Sequence, residues 1–278
     1  MIQELLRASI INLDKPRNIN SHQITAEIGR MLKVSIGHAG TLDPAVSGVL
    51  PILIGKATRL SQYFLEDKEY EGIMYMHQEI ELKKIKEIIK KKFTGKIKQV
   101  PPSRAAVKRQ EREREIYSFK IGKTKEKKSF HFHIHCQAGT YIRTLIHDLG
   151  QELKVGAHMQ ELRRTRDCIL NEKTSITYDK LRTAIEEWKN GNDKKLLKYL
   201  LPIEIITKNR PKLIIKNEFL EKAYNGSPIF KHFIKHSKLK LKEGQRIAIL
   251  SEDKKLVEIA IAVKEKEIIA KPETVLIL

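Results

Sequence analysis

The stretch Gly37-His38-Ala39-Gly40-Thr41-Leu42-Asp43-Pro44 places a single carboxylate inside a glycine-rich turn. Glycine suits positions where a side chain would obstruct the backbone or where φ is positive. Pro44 has a fixed φ, and its ring pushes Asp43 towards an extended conformation. A rigidly presented acid beside His38 and Thr41 is a candidate nucleophile or general base. The same residue types occur in ordinary surface turns, so the stretch alone leaves both interpretations open.

Five separated motifs of the chain resemble, in the same order, those of the TruB and dyskerin branch of the pseudouridine synthases. The glycine-rich turn and the Gly48-Val49-Leu50-Pro51 that follows it resemble the catalytic motif of this family. The family's opening motif is matched by Ile11-Asn12-Leu13-Asp14-Lys15-Pro16 with Ser21-His22. Its tyrosine motif is matched by Lys68-Glu69-Tyr70, and its arginine motif by Ala138-Gly139-Thr140-Tyr141-Ile142-Arg143. An archaeal motif is matched by Val155-Gly156-Ala157-His158-Met159 with Glu161-Leu162-Arg163-Arg164-Thr165-Arg166. The last of these is most similar to the archaeal dyskerin homologue, the catalytic subunit of the box H/ACA particle.

The resemblance implies an enzyme that isomerises uridine in RNA to pseudouridine. It breaks the N1–C1′ bond, turns the base and rejoins it through C5, and it needs no cofactor and no metal. The matched positions put the essential acid at Asp43, its paired arginine at Arg143 and the base-stacking tyrosine at Tyr70. His38 and Leu162 fall where relatives place base-extrusion and pocket-lining residues. The acid must be ionised in a partly dry site, and an adjacent arginine favours that form.

The segment from Ser103 to Arg114 is basic and irregular, and it follows Pro101-Pro102. In the family this segment forms a loop over the substrate RNA. Lys108 and Arg109 are therefore predicted to bind the phosphate backbone. The alternative is a solvated charged helix in which Arg and Glu side chains of the segment pair locally.

The relatives generally carry Pro-Gly-Pro-Thr before the Ser-His of the opening motif, whereas this chain has Arg17-Asn18-Ile19-Asn20. Asn18 thus occupies a glycine position. Because Asn visits left-handed backbone conformations more readily than most residues, we expect the local conformation to be kept.

Composition favours a nucleic-acid partner and disfavours a membrane one. The 278 residues carry 54 Lys and Arg against 34 Asp and Glu, a formal net charge of +20. Such an excess favours a polyanion because each neutralised phosphate releases counterions. The longest apolar run, Val49 to Ile54, is too short to span a membrane, and no targeting signal is evident. We expect a cytoplasmic protein with two buried thiols, Cys136 and Cys168.

Periodicity predicts a mixed α+β catalytic domain with a central, mostly antiparallel sheet. The alternation of Phe130, Phe132, Ile134 and Cys136 with His131, His133 and His135 is typical of a strand with one buried face. Three imidazoles on one face could hold zinc, but a wet strand face explains them more simply. Amphipathic helices are predicted after Asn20, from Leu82 to Phe93 and after Thr140.

A change in composition after Trp188, ending in the basic residues before Pro211, marks a domain boundary. We expect the catalytic domain to span residues 1–206 and a small β-barrel to span residues 207–278. Short β-like runs occur at 213–215, 247–249, 257–261 and 275–277. The segments 223–230 and 242–248 resemble a PUA domain, an RNA-binding β-barrel.

Two modes of substrate choice are found within the family. The bacterial branch recognises a tRNA T-loop alone, whereas the archaeal branch uses a guide RNA. The chain runs from Tyr70 through residues 73–77 directly into a helix, without the acidic loop usual in the bacterial branch. We therefore expect guide RNA and small H/ACA accessory proteins as partners, and rRNA and tRNA as substrates. The alternatives are a stand-alone tRNA enzyme and, from another class, an RNA-binding scaffold without catalysis.

Overall fold

The computed structural model describes residues 2–102, 108–235 and 240–276. The α-helices of these residues are α1 Ile2–Arg7, α2 Ser21–Leu32, α3 Leu82–Lys92, α4 Ile142–Glu152, α5 Tyr178–Lys189, α6 Lys194–Tyr199 and α7 Leu220–Tyr224. The strands are β1 Ala8–Lys15, β2 Ile36–His38, β3 Ser47–Gly55, β4 Asp67–Met76, β5 Gly95–Gln99, β6 Arg112–Lys123, β7 Ser129–Gln137, β8 Ala157–Asp167, β9 Leu170–Asn171, β10 Ile176–Thr177, β11 Leu201–Pro202, β12 Lys212–Ile214, β13 Ile229–Phe230, β14 Arg246–Leu250, β15 Leu256–Ala262 and β16 Ile268–Val275. Short 3₁₀ helices occur at Lys56–Phe64, Glu172–Thr174, Ile203–Thr207, Asn217–Phe219 and Lys231–Phe233.

The larger sheet has eleven strands among the described residues, and its main path runs β10-β1-β3-β8-β4-β7-β6-β5. Three short strands lie off this path: β11 pairs with β1, β2 with β3, and β9 with β8. The β1–β10 and β3–β8 pairings are parallel, and the other pairings are antiparallel. The predicted mixed α+β fold with a mostly antiparallel sheet is thereby confirmed.

The β3–β8 pairing joins two halves of this sheet and is very short. It consists of the register pairs Ser47↔Arg163 and Gly48↔Arg164. Gly48 has a φ of 108°, and a Cβ built on it would lie 2.2 Å from the carbonyl oxygen of Arg164. Only glycine allows the two backbones to approach so closely. The junction between the halves therefore depends on Gly48, in the stretch that follows Asp43 and Pro44.

Local sequence patterns account for the elements that border this junction. In β7 the apolar residues Phe130, Phe132, Ile134 and Cys136 are buried and the histidines face outwards, as the alternation predicted. Asn20 caps α2, with its side chain accepting a hydrogen bond from the backbone N–H of His22 at 2.8 Å. Asn18 has a φ of 65°, so the left-handed conformation expected at this position is confirmed.

Where it is described, the charged segment after the double proline is irregular only in part and is not helical. Residues 103–107, including the Ala106-Val107 of the predicted RNA loop, lie outside the described residues. Lys108 to Glu111 are not helical, and β6 begins at Arg112, so the charged-helix alternative is wrong. The irregular segment also ends earlier than predicted. Cross-strand ion pairs explain the charge pattern, since Glu113 pairs with Lys96 at 3.0 Å and Glu111 with Lys98 at 2.8 Å.

The C-terminal sheet has the order β12-β14-β15-β16-β13. Three of the four predicted β-like runs coincide with β12, β14 and β15, whereas the last strand ends at Val275, and Ile277 lies outside the described residues. The sheet packs on the larger one through a shared apolar cluster that includes Ala248, Leu250 and Ile259 on one side and Ile10 and Tyr63 on the other. Separating the two sheets would expose this cluster to water.

Within the described ranges, no helix is long and apolar enough to cross a membrane. Both thiols, Cys136 and Cys168, are buried and unbridged, as expected. Burial raises the pKa of each thiol to about 12, so both stay protonated near neutral pH.

Candidate active site

Asp43 and Arg143 come from opposite halves of the larger sheet, which the β3–β8 pairing joins, and their side chains meet. Asp43 lies in the turn before β3, and Arg143 lies in the first turn of α4. Arg143 Nη2 donates a hydrogen bond to Asp43 Oδ2 at 2.7 Å. Their side chains are 58% and 60% exposed. The expected partly dry pocket is therefore not found, and the pair is open to solvent and to a ligand.

The turn that carries Asp43 is held on both sides by hydrogen bonds to its backbone. Ser21 Oγ donates to the Leu42 carbonyl at 2.8 Å and accepts from the Leu42 N–H at 3.0 Å. The Pro44 carbonyl accepts from the Asn18 N–H at 2.8 Å. Since the backbone before and after Asp43 is tied, the carboxylate is presented in a fixed position.

Lys15 adds a buried cation to the same turn. Its side chain is fully buried, and its Nζ donates to the carbonyls of Pro16, Ile19 and Pro44 at 2.8, 2.9 and 3.3 Å. Burial lowers the pKa of Lys15 to about 8; the charge of Arg164 acts in the same direction, and Asp43 opposes it. Lys15 thus links the opening motif to the residue that follows the acid.

A buried ionic cluster of Lys68, Arg164 and Asp167 lies directly beneath the turn. Arg164 Nε donates to the Val49 carbonyl and its Nη2 to the Gly40 carbonyl, both at 2.7 Å. Its Nη1 lies 3.2 Å from Asp167 Oδ2, and Lys68 Nζ contacts Asp167 Oδ1. All three side chains are at most 5% exposed. Because Arg164 belongs to β8 and both carbonyls belong to the other half, this side chain fastens the catalytic turn across the junction.

Gly40 shows how tightly the turn sits on this cluster. A Cβ at Gly40, where φ is 72°, would lie 3.0 Å from Arg164 Nη1 and 3.1 Å from Lys68 Nζ. The glycine therefore allows the backbone to rest on the cations. Burial lowers the pKa of Lys68, and the neighbouring Asp167 carboxylate raises it in opposition.

Tyr70 and Leu162 lie on the adjacent central strands β4 and β8. Tyr70 pairs in register with Arg164, and Leu162 with Gly72. Tyr70 is 8% exposed and Leu162 is 6% exposed. Burial raises the pKa of the Tyr70 phenol well above its ordinary value, although the charge of Arg164 acts in the opposite direction. Tyr70 is therefore a neutral phenol at any physiological pH.

His38 lies at the end of β2, where its ring contacts His22 with a centroid distance of 4.7 Å. Neither ring nitrogen of His38 has a hydrogen-bond partner in the part of the chain that the structure describes. Burial lowers the pKa of His38 to about 4, and the charges of His22 and Arg164 act in the same direction. His38 is therefore neutral near pH 7.

Two hollows flank the junction. One, of about 500 Å³, is lined by Leu162 together with Arg17, Ser47 and Glu161. The other, of about 330 Å³, is lined by Arg143 with Thr144, His147, Ala157, His158 and Met159. The structure thus brings Asp43 and Arg143 together and puts Tyr70 and Leu162 on neighbouring strands. Lys108 and Arg109 make no hydrogen bond or ion pair with Asp43 or Arg143 within the described ranges.

Two of the three outward-facing histidines of β7 contact acids. His135 Nε2 lies 2.5 Å from Asp67 Oδ2, and His133 Nε2 lies 3.5 Å from Glu69 Oε2. Among residues 2–102, 108–235 and 240–276, no group of three potential ligands is arranged to hold a metal ion.

The sequence motifs contain Lys15, Lys68 and Arg164, but sequence reasoning assigned them no role, and Asp167 was missed altogether. Lys15 and Arg164 bond to backbone carbonyls, and Lys68 contacts Asp167, which is 99 residues away in the sequence. Sequence spacing does not reveal such partners. The available signal was charge itself, because a charged residue inside an apolar strand is rarely buried without a partner.

Comparison with known proteins identifies the class, the pseudouridine synthases, which are RNA isomerases. Residues 29–142 match the model for the TruB family pseudouridylate synthase N-terminal domain, and residues 143–207 match the tRNA pseudouridylate synthase B C-terminal domain. The chain belongs to the TruB family of pseudouridine synthases.

Archaeal relatives named probable tRNA pseudouridine synthase B align with nearly the whole chain. The protein of Nanoarchaeum equitans is 39% identical over 273 residues, which are 97% of this chain and 78% of the relative. That of Sulfurisphaera tokodaii is 38% identical over 290 residues, covering 99% of this chain and 84% of the relative.

Solved structures agree over the same extent. A chain of the crystal structure of a Cbf5-Nop10-Gar1 complex superposes with a TM-score of 0.89 at 37% identity, covering 99% of this chain and 87% of the other. A chain of an H/ACA RNP bound to a substrate RNA containing 2′-deoxyuridine gives 0.89 at 34% identity, covering 100% and 88%. The similarity therefore includes both sheets.

Proposed function

We propose that Asp43 is the catalytic acid of this pseudouridine synthase and acts on the ribose of an extruded uridine, as nucleophile at C1′ or as the base that deprotonates the sugar. The observation that carries the proposal is the hydrogen bond of 2.7 Å between Arg143 and Asp43, formed between residues of the two halves. At this distance the guanidinium holds the carboxylate by a charge-assisted hydrogen bond and fixes its orientation, which either role requires. The backbone bonds around Leu42 and Pro44 support a preorganised geometry.

The isomerisation balances without a cofactor. The N1–C1′ bond breaks, the base turns, C5 bonds to C1′, and the proton that leaves C5 is matched by one gained at N1. Tyr70 is proposed to contact the extruded base, and its high pKa makes it suited to donating a hydrogen bond as a phenol rather than acting as a base near pH 7. Water would be excluded from Asp43 by the bound nucleotide, since the side chain itself is 58% exposed.

Two further groups are proposed to contact the RNA around the target. Leu162 would line the base pocket, since it lines the hollow of about 500 Å³, and neutral His38 would help to hold the base out of its stack. Lys108 and Arg109 are exposed, and neither forms an ion pair within the described part of the chain. Exposed cations without acidic partners are available to phosphate, so these two residues would bind the backbone.

The C-terminal region, residues 207–278, is proposed to be a PUA domain that binds RNA. The support is the five-stranded sheet together with an aromatic cluster, in which Phe219 and Phe233 stack with ring centroids 4.2 Å apart. The ammonium groups of Lys216 and Lys222 lie 5.8 and 5.6 Å from the Phe219 ring centroid. Phe233 is buried in the core, so the partly exposed Phe219 with its two adjacent cations is the aromatic surface that would contact a base.

We further propose that the chain acts as the catalytic subunit of a guide-directed H/ACA particle on rRNA and tRNA, with small accessory proteins as partners. The similarity to Cbf5 chains in complexes that contain Nop10, Gar1 or substrate RNA extends over 99–100% of this chain. A stand-alone role remains the second candidate, because the archaeal relatives are named tRNA pseudouridine synthase B. A scaffold without catalysis has no physical need for the tied Asp43–Arg143 pair.

The test is conversion of a guided rRNA fragment and of a tRNA, each with protein alone and with guide RNA and accessory proteins. We expect the rRNA fragment to be converted only with the guide. Asp43 and Tyr70 would recognise a uridine and the exposed cations would contact the backbone, so neither contact selects a sequence. Efficient guide-free conversion of the rRNA would contradict the guided role. Activity confined to tRNA would favour the stand-alone enzyme, and no activity on either RNA would favour the scaffold.

A further inference from the structure

We propose that Gln99 is a positioning residue for Arg143, an inference that rests on the proposed role of the Asp43–Arg143 pair. Gln99 is the last residue of β5 and is 4% exposed. Its Nε2 donates a hydrogen bond to the carbonyl of Tyr141 at 3.2 Å, and its Oε1 accepts one from the Tyr141 N–H at 3.1 Å. One side-chain amide thus holds both polar groups of a single backbone residue 42 positions away in the sequence.

Tyr141 is the residue from which α4 starts. Its carbonyl also accepts the first hydrogen bond of the helix, from the N–H of Leu145 at 2.9 Å. No side chain of the helix caps its own N-terminus at this position. A helix end without a local cap has unsatisfied N–H groups and frays readily, so the amide of Gln99 supplies a cap from another strand.

Arg143 is the second residue of α4 and depends on this anchor. Its side chain is 60% exposed, and within the described ranges its one hydrogen bond is the bond to Asp43. Little else packs around the guanidinium, so its position follows that of the backbone. A misplacement of about 1 Å near the reacting groups can lower turnover by about 100-fold, even when the mutated residue is far from the chemistry. Gln99 therefore acts on turnover through Arg143 rather than on RNA affinity.

An amide is suited to this position in a way that its nearest analogues are not. Tyr141 offers one donor and one acceptor, and an amide supplies the complementary acceptor and donor together. Once ionised, the carboxylate of Gln99→Glu cannot donate to the carbonyl, and the thioether of Gln99→Met provides neither strong bond at any pH. Both variants keep the length of the side chain, so they remove hydrogen bonds without creating a large cavity.

The chain offers a matched control in Gln137. Its Oε1 accepts a hydrogen bond from the Glu115 N–H at 3.2 Å, again between a side-chain amide and a neighbouring strand's backbone. Its side chain makes no hydrogen bond with Tyr141. Gln137→Met therefore removes a similar bond from the same sheet while leaving the start of α4 in place.

The experiment measures hydrogen exchange and kinetics on the full-length wild-type, Gln99→Met, Gln99→Glu and Gln137→Met proteins. In both Gln99 variants we expect the amides of residues 141–146 to exchange faster by at least about fivefold, without a matching change elsewhere in the sheet. With an RNA that the wild type converts, kcat should fall by about tenfold or more while KM and the RNA Kd stay within about twofold. Gln137→Met should match the wild type in both measurements.

Unchanged exchange at residues 141–146 in Gln99→Met would overturn the inference, because the anchor would then be absent in solution. Faster exchange with unchanged kcat would also overturn it, since Arg143 would not depend on the anchor. A rise in KM with constant kcat would assign Gln99 to RNA binding instead. A wild-type protein that converts no RNA would contradict the proposed function by itself, and the exchange measurement would still decide whether Gln99 holds α4.

Discussion

Gly48→Ala should loosen the junction between the two halves of the large sheet and separate the catalytic pair. Gly48 has a φ of 108°, and its added Cβ would meet the Arg164 carbonyl oxygen at 2.2 Å and the Arg164 nitrogen at 2.7 Å. Ordinary contact for a Cβ begins at 3.4 Å, so the strands would have to move apart by about 1.2 Å. The β3–β8 pairing consists of two register pairs, Gly48↔Arg164 and the neighbouring Ser47↔Arg163.

The cost follows from two separate effects. An alanine at positive φ costs about 1–2 kcal/mol. Forcing an extra methyl into a packed contact costs a further ~1–3 kcal/mol. We therefore expect Gly48→Ala to lower the free energy of unfolding by about 2–5 kcal/mol, and the displacement should lower turnover by up to about 100-fold in the protein that remains folded. Because Asp43 and Arg143 belong to different halves, the loosened junction would account for both the lower stability and the lower turnover.

Urea unfolding and single-turnover conversion of RNA would measure the two effects, with two alanine controls. Gly95 also has a positive φ, 82°, but no atom lies within 4 Å of its added Cβ, so Gly95→Ala isolates the conformational cost. Gly122 has open space and no positive φ, so Gly122→Ala should be close to neutral. If Gly48→Ala unfolds at the same urea concentration as Gly95→Ala, the steric cost at the junction is refuted. If Gly48→Ala destabilises the fold while turnover stays at the wild-type level, the dependence of the Asp43–Arg143 pair on the junction is refuted.

Arg143→Lys should recover little of the activity lost in Arg143→Met, because a point charge does not reproduce the planar guanidinium that contacts Asp43 at 2.7 Å. Equal turnover of Arg143→Lys and wild type would refute that geometry. Glu258 on β15 is fully buried, neither carboxylate oxygen has a hydrogen-bond partner among the described residues, and burial raises its pKa to about 8 from the ordinary 4.5. The unfolded chain releases this proton first, so stability should fall as pH rises from about 5 to 8, and Glu258→Gln should remove that part of the slope. Identical pH dependence of the urea midpoints of wild type and Glu258→Gln would contradict this.

The strands with one buried face could be predicted from the sequence, because alternation is a local property. β7 is the clearest case, since its apolar residues are buried and its histidines face outwards. β6 was missed at its start because Arg112, Glu113 and Arg114 carry no apolar alternation. Their charges pair across strands, which depends on the neighbouring Lys96 and Lys98 rather than on local sequence.

The sequence motifs predicted that Asp43 and Arg143 meet, as they do, but not the contacts that support them. Motif order singled out Asp43, Tyr70 and Arg143, because their chemistry is tied to short sequence patterns. The contacts that hold them come from Arg164 and Gln99, which bond to backbone groups of segments far away in the chain. Backbone carbonyls look alike in every sequence, so such partners emerge only from the fold. The exposure of Asp43 was likewise not predictable, because it depends on which distant segments pack around the turn.

Release of tritium from uridine labelled at C5, measured with wild-type and Asp43→Asn protein on the same RNA, decides whether Asp43 performs the chemistry. The isomerisation replaces the C5–H bond by a C5–C1′ bond, so each turnover releases one label. Asp43→Asn keeps the size of the side chain and removes the carboxylate that Arg143 contacts. For Asp43→Asn we expect less than about 1% of wild-type turnover, which is a loss of at least ~3 kcal/mol of transition-state stabilisation. The RNA affinity of this variant should stay within about twofold of wild type. Turnover above that level, with RNA still bound, would show that Asp43 does not perform the chemistry.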